Sequence, residues 1–253
     1  MPKIVAIANQ KGGVGKTTTT VNVCAFLAQH HSTLLVDLDS QANATASLGI
    51  VMGDRPSIHD VMVQGAKACE VIVETSVAGL SLLPSSPSLV AAELQLAAMM
   101  GREFKLRKAL QEIGDRYEFV FIDCPPALSL LTLNALAAAH KVMVPVQCEY
   151  LALEGLSELL TTIELVQVNL NPALDLGGII MTMFDPRTSL SRQITDEVRA
   201  HFPATFKTVI PRNVRVAEAP SHGLPLAAYA PDSVGGKAYR ELAEEICEAL
   251  MRS

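Results

Sequence analysis

Short apolar runs recur along the chain between longer segments with helical periodicity. Three of the runs, Ile4–Ala8, Leu34–Val36 and Phe119–Ile122, lack the polar alternation of a half-buried strand. Strands that are apolar on both sides are typical of a parallel sheet that is covered by helices on both faces. The pattern therefore predicts an α/β fold with a doubly wound, mostly parallel sheet.

Further elements extend this alternation toward the end of the chain. Strands are expected near Leu80–Leu83, Lys141–Val146, Gly178–Thr182 and Thr208–Ile210, and helices near Thr17–Gln29, Ala152–Val168 and Gly236–Met251. The segment 54–116 is less legible and is expected to contain short helices besides its strand. No linker rich in Pro, Ser or Gly divides the chain, so we expect one domain over residues 1–253.

Composition supports a globular protein of the cytosol. Hydrophobic residues make up 49% of the 253 positions and charged residues 18%, which is far from the composition of a disordered chain. No apolar run is long enough to span a bilayer, and the start of the chain has no signal-peptide pattern. The five cysteines form no CxxC pair and the six histidines show no metal-binding spacing, so we expect reduced, buried thiols and no structural metal.

The charge distribution points to one basic region in an acidic protein. The formal net charge is −6, which disfavours a protein covered with basic residues. Between residues 185 and 240, however, the sequence contains eight basic and five acidic residues. A local basic face is therefore possible.

The glycine-rich segment after the first strand predicts a phosphate-binding loop. The sequence from Gln10 to Thr18, QKGGVGKTT, nearly fits GxxxxGK[ST] and lies between a predicted strand and a predicted helix. Glycines let backbone N–H groups turn toward phosphates, Lys16 can reach the β- and γ-phosphates, and the Thr17 hydroxyl can bind Mg²⁺. The predicted nucleotide-binding residues of the loop are Lys11, Gly12, Gly13, Val14, Gly15, Lys16, Thr17 and Thr18.

Acidic residues follow two other predicted strands. Asp123 directly follows the run Phe119–Ile122, in the position of a Walker B carboxylate that holds Mg²⁺ through its water shell. Asp37 and Asp39 follow the run Leu34–Val36, beside the loop in a parallel sheet. Carboxylates that only cap a loop are the alternative for these positions.

The motifs together resemble the ParA/Soj family of chromosome- and plasmid-partitioning ATPases, within the P-loop NTPases of the deviant Walker A type. The resemblance covers nearly the whole chain. The segments that carry it are ANQKGGVGK (8–16), VDLDSQANAT (36–45), IDCPP (122–126), PVQCEY (145–150) and IPRNVR (210–215). Ser40 stands where the family usually has proline, which does not affect the implied chemistry.

The resemblance implies a role for each site residue. Lys11 would reach across an ATP-dependent sandwich dimer to the nucleotide of the other subunit, as an arginine finger does, and so assist catalysis together with Lys16. Asp39 would orient the attacking water, and Asp37 would lie near the metal with Thr17 and Asp123. The implied adenine-binding residues are Pro211 and Asn213, and the implied DNA-binding residues are Arg187 and Arg215.

The same resemblance implies partners. The ATP-bound homodimer would bind non-specific DNA on the nucleoid, without a membrane, and a ParB-like centromere-binding protein would accelerate its hydrolysis. For an isolated arginine a solvated surface position is the alternative, but the local basic balance and the motifs favour DNA contact.

Four other functions use the same fold. A MinD-like membrane-cycling ATPase needs a basic amphipathic C-terminal helix, whereas the segment 239–251 is acidic. A redox protein like the nitrogenase iron protein needs cluster-binding cysteines, and neither Cys124 nor Cys148 lies in a similar motif. An ATP-dependent ligase for a small carboxylic acid lacks support from the C-terminal motifs. A ParA-like positioner of a cargo other than DNA remains an alternative.

Overall fold

The strands form one eight-stranded sheet in the computed structural model, which describes residues 2–149 and 152–252. The strands are β1 (Lys3–Ile7), β2 (Thr33–Asp37), β3 (Val73–Glu74), β4 (Leu80–Leu83), β5 (Phe119–Asp123), β6 (Lys141–Gln147), β7 (Asp175–Phe184) and β8 (Thr205–Pro211). Their order is β3-β4-β2-β5-β1-β6-β7-β8. Only β3 pairs antiparallel within this sheet, so the expected mostly parallel architecture is confirmed.

Helices connect the strands and cover both faces. They are α1 (Lys16–Leu27), α2 (Asn43–Ser47), α3 (Ala68–Val71), α4 (Leu89–Ala97), α5 (Lys105–Gln111), α6 (Leu130–Ala138), α7 (Ala152–Asn169), α8 (Ser189–His201), α9 (Val214–Glu218), α10 (Leu226–Tyr229) and α11 (Val234–Met251). Short 3₁₀ turns occupy Arg102–Phe104, Gly114–Arg116 and Ala219–His222, and a π-helical turn occupies Asp60–Gln64. Hydroxyl caps fix the first turns of α6, α8 and α11, where Ser129, Thr188 and Ser233 accept hydrogen bonds from backbone N–H groups.

The two faces of the central strands belong to two separate hydrophobic cores. In β1, Val5 and Ile7 pack in the core that contains α1 and α11, whereas Ala6 points into the core that contains α4 to α8. All three side chains are fully buried. This burial on both sides explains the uninterrupted apolar runs of the sequence.

The observed bounds of the central strands agree with the sequence expectations. The strands at the β8 end of the sheet are longer than expected. The strand expected near Gly178–Thr182 spans ten residues, and the one expected near Thr208–Ile210 spans seven. The less legible segment 54–116 contains the expected short helices and β4, but also β3, which has only two residues and gave no pattern. Tyr150, which ends one of the sequence motifs, lies outside the described residues.

None of the helices in the described part of the chain combines the length and the apolar character that crossing a bilayer requires.

Candidate active site

The register of the sheet brings the predicted loop and the predicted carboxylates to one edge. β5 lies between β1 and β2, with Asp123 opposite Ile7 on one side and opposite Asp37 on the other. The loop starts at Gln10, three positions after Ile7. Since parallel strands end at the same edge, these groups meet at the carboxyl end of the sheet, where ligands of doubly wound folds bind.

The loop has the backbone conformation of a phosphate cradle. Gly13 and Gly15 have φ values of 75° and 90°, a region that side-chain-bearing residues rarely adopt. A Cβ atom placed on Gly12 or Gly13 would meet no protein atom within 4 Å, so the space beside the loop is open. The twelve-residue helix α1 begins at Lys16 and points its positive N-terminus at that space.

Side chains from neighbouring strands hold the carbonyl groups of the loop. The Gln147 side-chain amide donates to the carbonyl of Gly13 at 2.7 Å, and the Thr182 hydroxyl donates to the carbonyl of Val14 at 2.8 Å. Asn9 donates to the carbonyl of Pro145 at 2.7 Å and accepts from the N–H of Lys11. No role for Gln147 or Thr182 was predicted from the sequence, although both lie at or near the carboxyl end of a strand, which was the signal available.

The two lysines of the loop have different environments. Lys16 is 6% exposed, and its Nζ donates to the carbonyl of Lys11 at 3.1 Å. Burial lowers the pKa of Lys16, while the nearby Asp123 acts in the opposite direction. The Lys11 side chain is 44% exposed, and its Nζ lies 3.2 Å from Glu149, which also pairs with Arg212 at 3.5 Å. One lysine therefore points into the cradle and the other lies at its open rim.

Asp123 is fully buried and incompletely paired. The Thr20 hydroxyl donates to its Oδ1 at 3.1 Å, whereas its Oδ2 has no hydrogen-bond partner among the described residues. Burial, and then the adjacent Asp37, raise the pKa of Asp123 to about 8, against the effects of the Thr17 and Thr20 hydroxyls and Lys16. A buried carboxylate oxygen without a partner, next to a threonine hydroxyl, fits a hard cation such as Mg²⁺. Asp123 and Thr17 are thus the residues that would hold it.

Asp37 and Asp39 have different partners. Asp37 accepts from the Thr45 backbone N–H and hydroxyl at 2.8 and 2.7 Å and from the Asp39 N–H at 3.2 Å. Burial nevertheless raises the pKa of Asp37 to about 6. Asp39 is 8% exposed, and its Oδ1 accepts from the Gln41 N–H at 3.0 Å. Asp37 therefore organises the turn into α2, and its position near the metal stays a prediction.

A pocket of about 440 Å³ continues from the loop toward β8. Its lining includes the predicted Pro211 and Asn213, and it also includes Thr18, Met183 and Tyr239. The Asn213 side chain caps α9 by accepting from the Arg215 N–H at 2.9 Å. Met183 adopts a left-handed φ of 54°, which is unusual for a residue with a side chain and was not predictable from its type.

The two predicted DNA-binding arginines lie at the β7–β8 end of the same edge. The residue after β8 is joined to the end of β7 by a hydrogen bond from the Arg212 N–H to the carbonyl of Phe184. Arg187 forms a two-pronged ion pair with Asp185 at 2.9 and 2.8 Å, which lowers the pKa of Asp185 to about 2. Arg215 pairs with Glu218 at 2.9 Å. Both arginines are exposed, and both are matched by a carboxylate.

Comparison with known proteins identifies relatives along the whole chain. A family model described as an AAA domain matches residues 2–176. The chain is 53% identical to the chromosome-partitioning ATPase Soj of Thermus thermophilus, over 96% of this chain and 94% of that protein. It is 49% identical to the sporulation initiation inhibitor protein Soj of Bacillus subtilis, over 97% and 98% of the two chains.

A solved structure shares the fold over nearly the same length. The crystal structure of a protein named cobyrinic acid a,c-diamide synthase, from Mycobacterium smegmatis with a bound ATP analogue and magnesium, superposes with a TM-score of 0.84. The two sequences are 39% identical, and the match covers 96% of this chain and 93% of that one. This similarity confirms the P-loop NTPase fold.

Proposed function

This chain belongs to the Soj/ParA family of chromosome-partitioning ATPases, and from that premise we propose that its ATP-bound form is a sandwich dimer that binds DNA without sequence preference. Its reaction is the hydrolysis of ATP to ADP and phosphate, with Mg²⁺ as the metal cofactor. When bound, the metal supplies positive charge that offsets the negative charge of the phosphates.

The proposal assigns each residue of the loop edge a task. The backbone N–H groups of residues 12–18 and the ammonium group of Lys16 bind the phosphates. Thr17 and Asp123 hold Mg²⁺, with Asp37 beside them. Pro211 and Asn213 position the adenine. Asp39, which is nearly buried and held by the Gln41 N–H, orients the attacking water.

The position of Lys11 is the observation that supports the proposed sandwich dimer. Lys16 already occupies the cradle, so the phosphates of the same subunit do not need a second ammonium group. Lys11 instead lies at the exposed rim, paired with the half-exposed Glu149. An exposed ion pair of this kind is worth at most about 1 kcal/mol, so it can be exchanged for a phosphate of the partner subunit. This supports action of Lys11 in trans.

We propose that the β7–β8 end of this sheet edge is the DNA-binding surface. Arg187 lies in the turn after β7 and Arg215 in α9 shortly after β8, and the ends of these two strands are joined by the hydrogen bond from the Arg212 N–H to the carbonyl of Phe184. A dimer would present two copies of this edge, and several phosphate contacts together give salt-sensitive, sequence-independent affinity. We also propose a ParB-like partner that accelerates hydrolysis and so releases the dimer from the nucleoid.

The pocket combines Gly15 with Tyr239 near the other end of the sequence, which supports one domain over residues 1–253.

The first experiment measures retention of duplex DNA at low salt with ATP, with ADP and without nucleotide. We expect retention with ATP alone, and none with Lys11→Ala, which should still bind ATP. Lys67→Ala, which removes an exposed lysine elsewhere, is the matched control and should behave like the unmodified protein. Asp39→Ala should bind DNA with ATP and fail to release it.

Two outcomes would count against the proposal. If DNA binds equally with ATP and ADP, the nucleotide does not control the surface. If ATP binds but DNA is never retained, an ATP-dependent ligase for a small carboxylic acid becomes the better hypothesis, since the Mycobacterium smegmatis structure is named a diamide synthase.

A further inference from the structure

A second cluster of reactive side chains lies at the opposite edge of the sheet. His31 is in the turn between α1 and β2, Glu118 directly precedes β5, and Cys247 is in the last turns of α11. β2 and β5 begin at this edge, whereas the phosphate loop lies where they end. The cluster therefore takes no part in the proposed nucleotide chemistry.

The three side chains form an ordered chain of contacts. His31 Nδ1 lies 2.9 Å from Glu118 Oε2, and His31 Nε2 lies 3.5 Å from the Cys247 sulfur. The ring stands edge-on to Phe119, with centroids 5.2 Å apart and an interplanar angle of 78°. A carboxylate accepts, so Nδ1 is the donor to Glu118, and in the neutral form of the ring Nε2 then presents its lone pair to the thiol. Carboxylate, imidazole and thiol are thus arranged as in a nucleophile–base–orienter triad.

The sulfur faces an open pocket of about 390 Å³ between α1 and α11. Its lining includes His31 and Cys247, together with Arg240 and Glu244, which lie one turn apart on α11. Arg240 is stacked over the Phe26 ring, with its guanidinium carbon 5.5 Å from the centroid. The pocket therefore offers a small molecule a nucleophile, a base, one cationic side chain and the carboxylates of Glu244 and Glu248.

The other four cysteines differ from Cys247 in their exposure. Cys24, Cys124 and Cys148 are buried, and Cys69 is exposed on the short helix α3. Cys247 is intermediate in exposure, and burial, followed by the charges of Glu118 and Glu248, raises the pKa of its thiol. A thiol in that environment contains little thiolate at neutral pH and depends on a base for reactivity.

We propose that Cys247 is a covalent modification site for small zwitterionic disulfides of the amino-acid or peptide type, with His31 as its general base. The thiol proton moves to His31 Nε2 while the sulfur attacks one sulfur of the disulfide. A new bond joins Cys247 to that sulfur, the original S–S bond breaks, and the departing thiolate takes the proton from His31. Cys247 is oxidised to a mixed disulfide and half of the reagent is reduced to a thiol, so no further oxidant is needed.

Glu118 acts as a positioning residue in this step. Its carboxylate fixes the ring orientation through Nδ1 and stabilises the imidazolium that forms. The zwitterionic preference follows from Arg240 and Glu244, which can pair with a carboxylate and an ammonium group of the reagent.

The test is the rate of mixed-disulfide formation at each cysteine, measured by mass spectrometry of peptides after brief exposure to glutathione disulfide at neutral pH. We expect Cys247 to react about tenfold or more faster than the more exposed Cys69, in line with typical general-base effects. His31→Asn should reduce the Cys247 rate to that of Cys69 or below. The neutral reagent bis(2-hydroxyethyl) disulfide should distinguish the two cysteines less than glutathione disulfide does.

Three controls separate the proposal from a loss of structure. The Cys69 rate and the ATPase rate should be the same in every variant. Glu118→Ala should lower the Cys247 rate, and Glu118→Gln, which keeps a hydrogen-bond acceptor, should restore most of it. The proposal is overturned if Cys69 reacts as fast as Cys247, or if His31→Asn leaves the Cys247 rate unchanged.

Discussion

The phosphate loop and the β7–β8 end of the same sheet edge have opposite arrangements of charge. At the loop, Lys16 and Asp123 are buried, and Asp123 Oδ2 has no hydrogen-bond partner among the described residues. At the β7–β8 end, Arg187 and Arg215 are exposed, and each forms an ion pair with a neighbouring carboxylate. At the loop, a bound ligand would supply the missing partners of buried charged groups. At the β7–β8 end, a ligand must replace the carboxylates that already pair with the arginines. Substitutions at the loop should therefore have the larger effects.

The largest effect is expected from Lys16→Ala, which removes the ammonium group that points into the cradle. Charge-assisted hydrogen bonds contribute about 1.5 to 3 kcal/mol each, so ATP affinity should fall by about 100-fold or more. Titration with a fluorescent ATP analogue measures this loss. Lys67→Ala serves as the control for removing a lysine, and nearly unchanged affinity in Lys16→Ala would show that the loop binds phosphate through its backbone alone.

Asp123→Asn should abolish Mg²⁺-dependent hydrolysis and yet stabilise the metal-free protein. The pKa of Asp123 is raised in the folded state to about 8, so its ionisation weakens folding progressively as the pH rises from about 4 to 8. Removing that charge should raise the free energy of unfolding at pH 8 by about 1 to 3 kcal/mol, or roughly 2–10 °C in Tm.

Thermal unfolding in EDTA at pH 5 and pH 8 checks this prediction. The difference in Tm between Asp123→Asn and the unmodified protein should be larger at pH 8. A variant that is less stable than the unmodified protein at pH 8 would mean that the Asp123 charge is satisfied without metal.

Arg215→Glu at the β7–β8 edge should reduce ATP-dependent DNA retention by about tenfold, because each subunit loses a phosphate contact and gains a repulsion. ATP affinity should be unchanged. Filter binding at several salt concentrations measures both the affinity and the salt slope. Full retention of DNA would remove Arg215 from the proposed surface.

The smallest expected effect, and the one of opposite sign, comes from Asp185→Asn. Releasing Arg187 from its two-pronged ion pair should increase DNA affinity about two- to fivefold and steepen the salt dependence. The amide oxygen of the substituted side chain can still accept from the Arg187 N–H, so the turn should persist. Asp175→Asn is the matched control, because it removes the same charge from the Lys141 ion pair at the other end of β7. Equal gains in both variants would indicate a net-charge effect.

The fold and the phosphate loop could be predicted from the sequence because both depend on contiguous residues. The apolar runs of β1, β2 and β5 reflect burial on both faces, and the glycines of the loop reflect its backbone conformation. The contacts of Gln147 and Thr182 with the loop could not be predicted from sequence patterns, because they join residues more than 130 positions apart. The pairing of Arg187 and of Arg215 with a neighbouring carboxylate was also missed, since a charge count over residues 185–240 records the balance and not the geometry.

The contact between Thr19 and Tyr239 has a consequence for synthesis. The two hydroxyls lie 3.4 Å apart but are separated by 220 positions in the chain. At the usual elongation rate of about 5 to 20 residues per second, the ribosome needs roughly 10 to 40 s to proceed from one to the other. During that interval the nascent chain has its phosphate loop but not α11, whose Tyr239 lines the pocket beside the loop. We therefore expect full affinity for nucleotide only after α11 has been synthesised, and a chain that stalls before α11 emerges should remain unable to enter the ATP cycle.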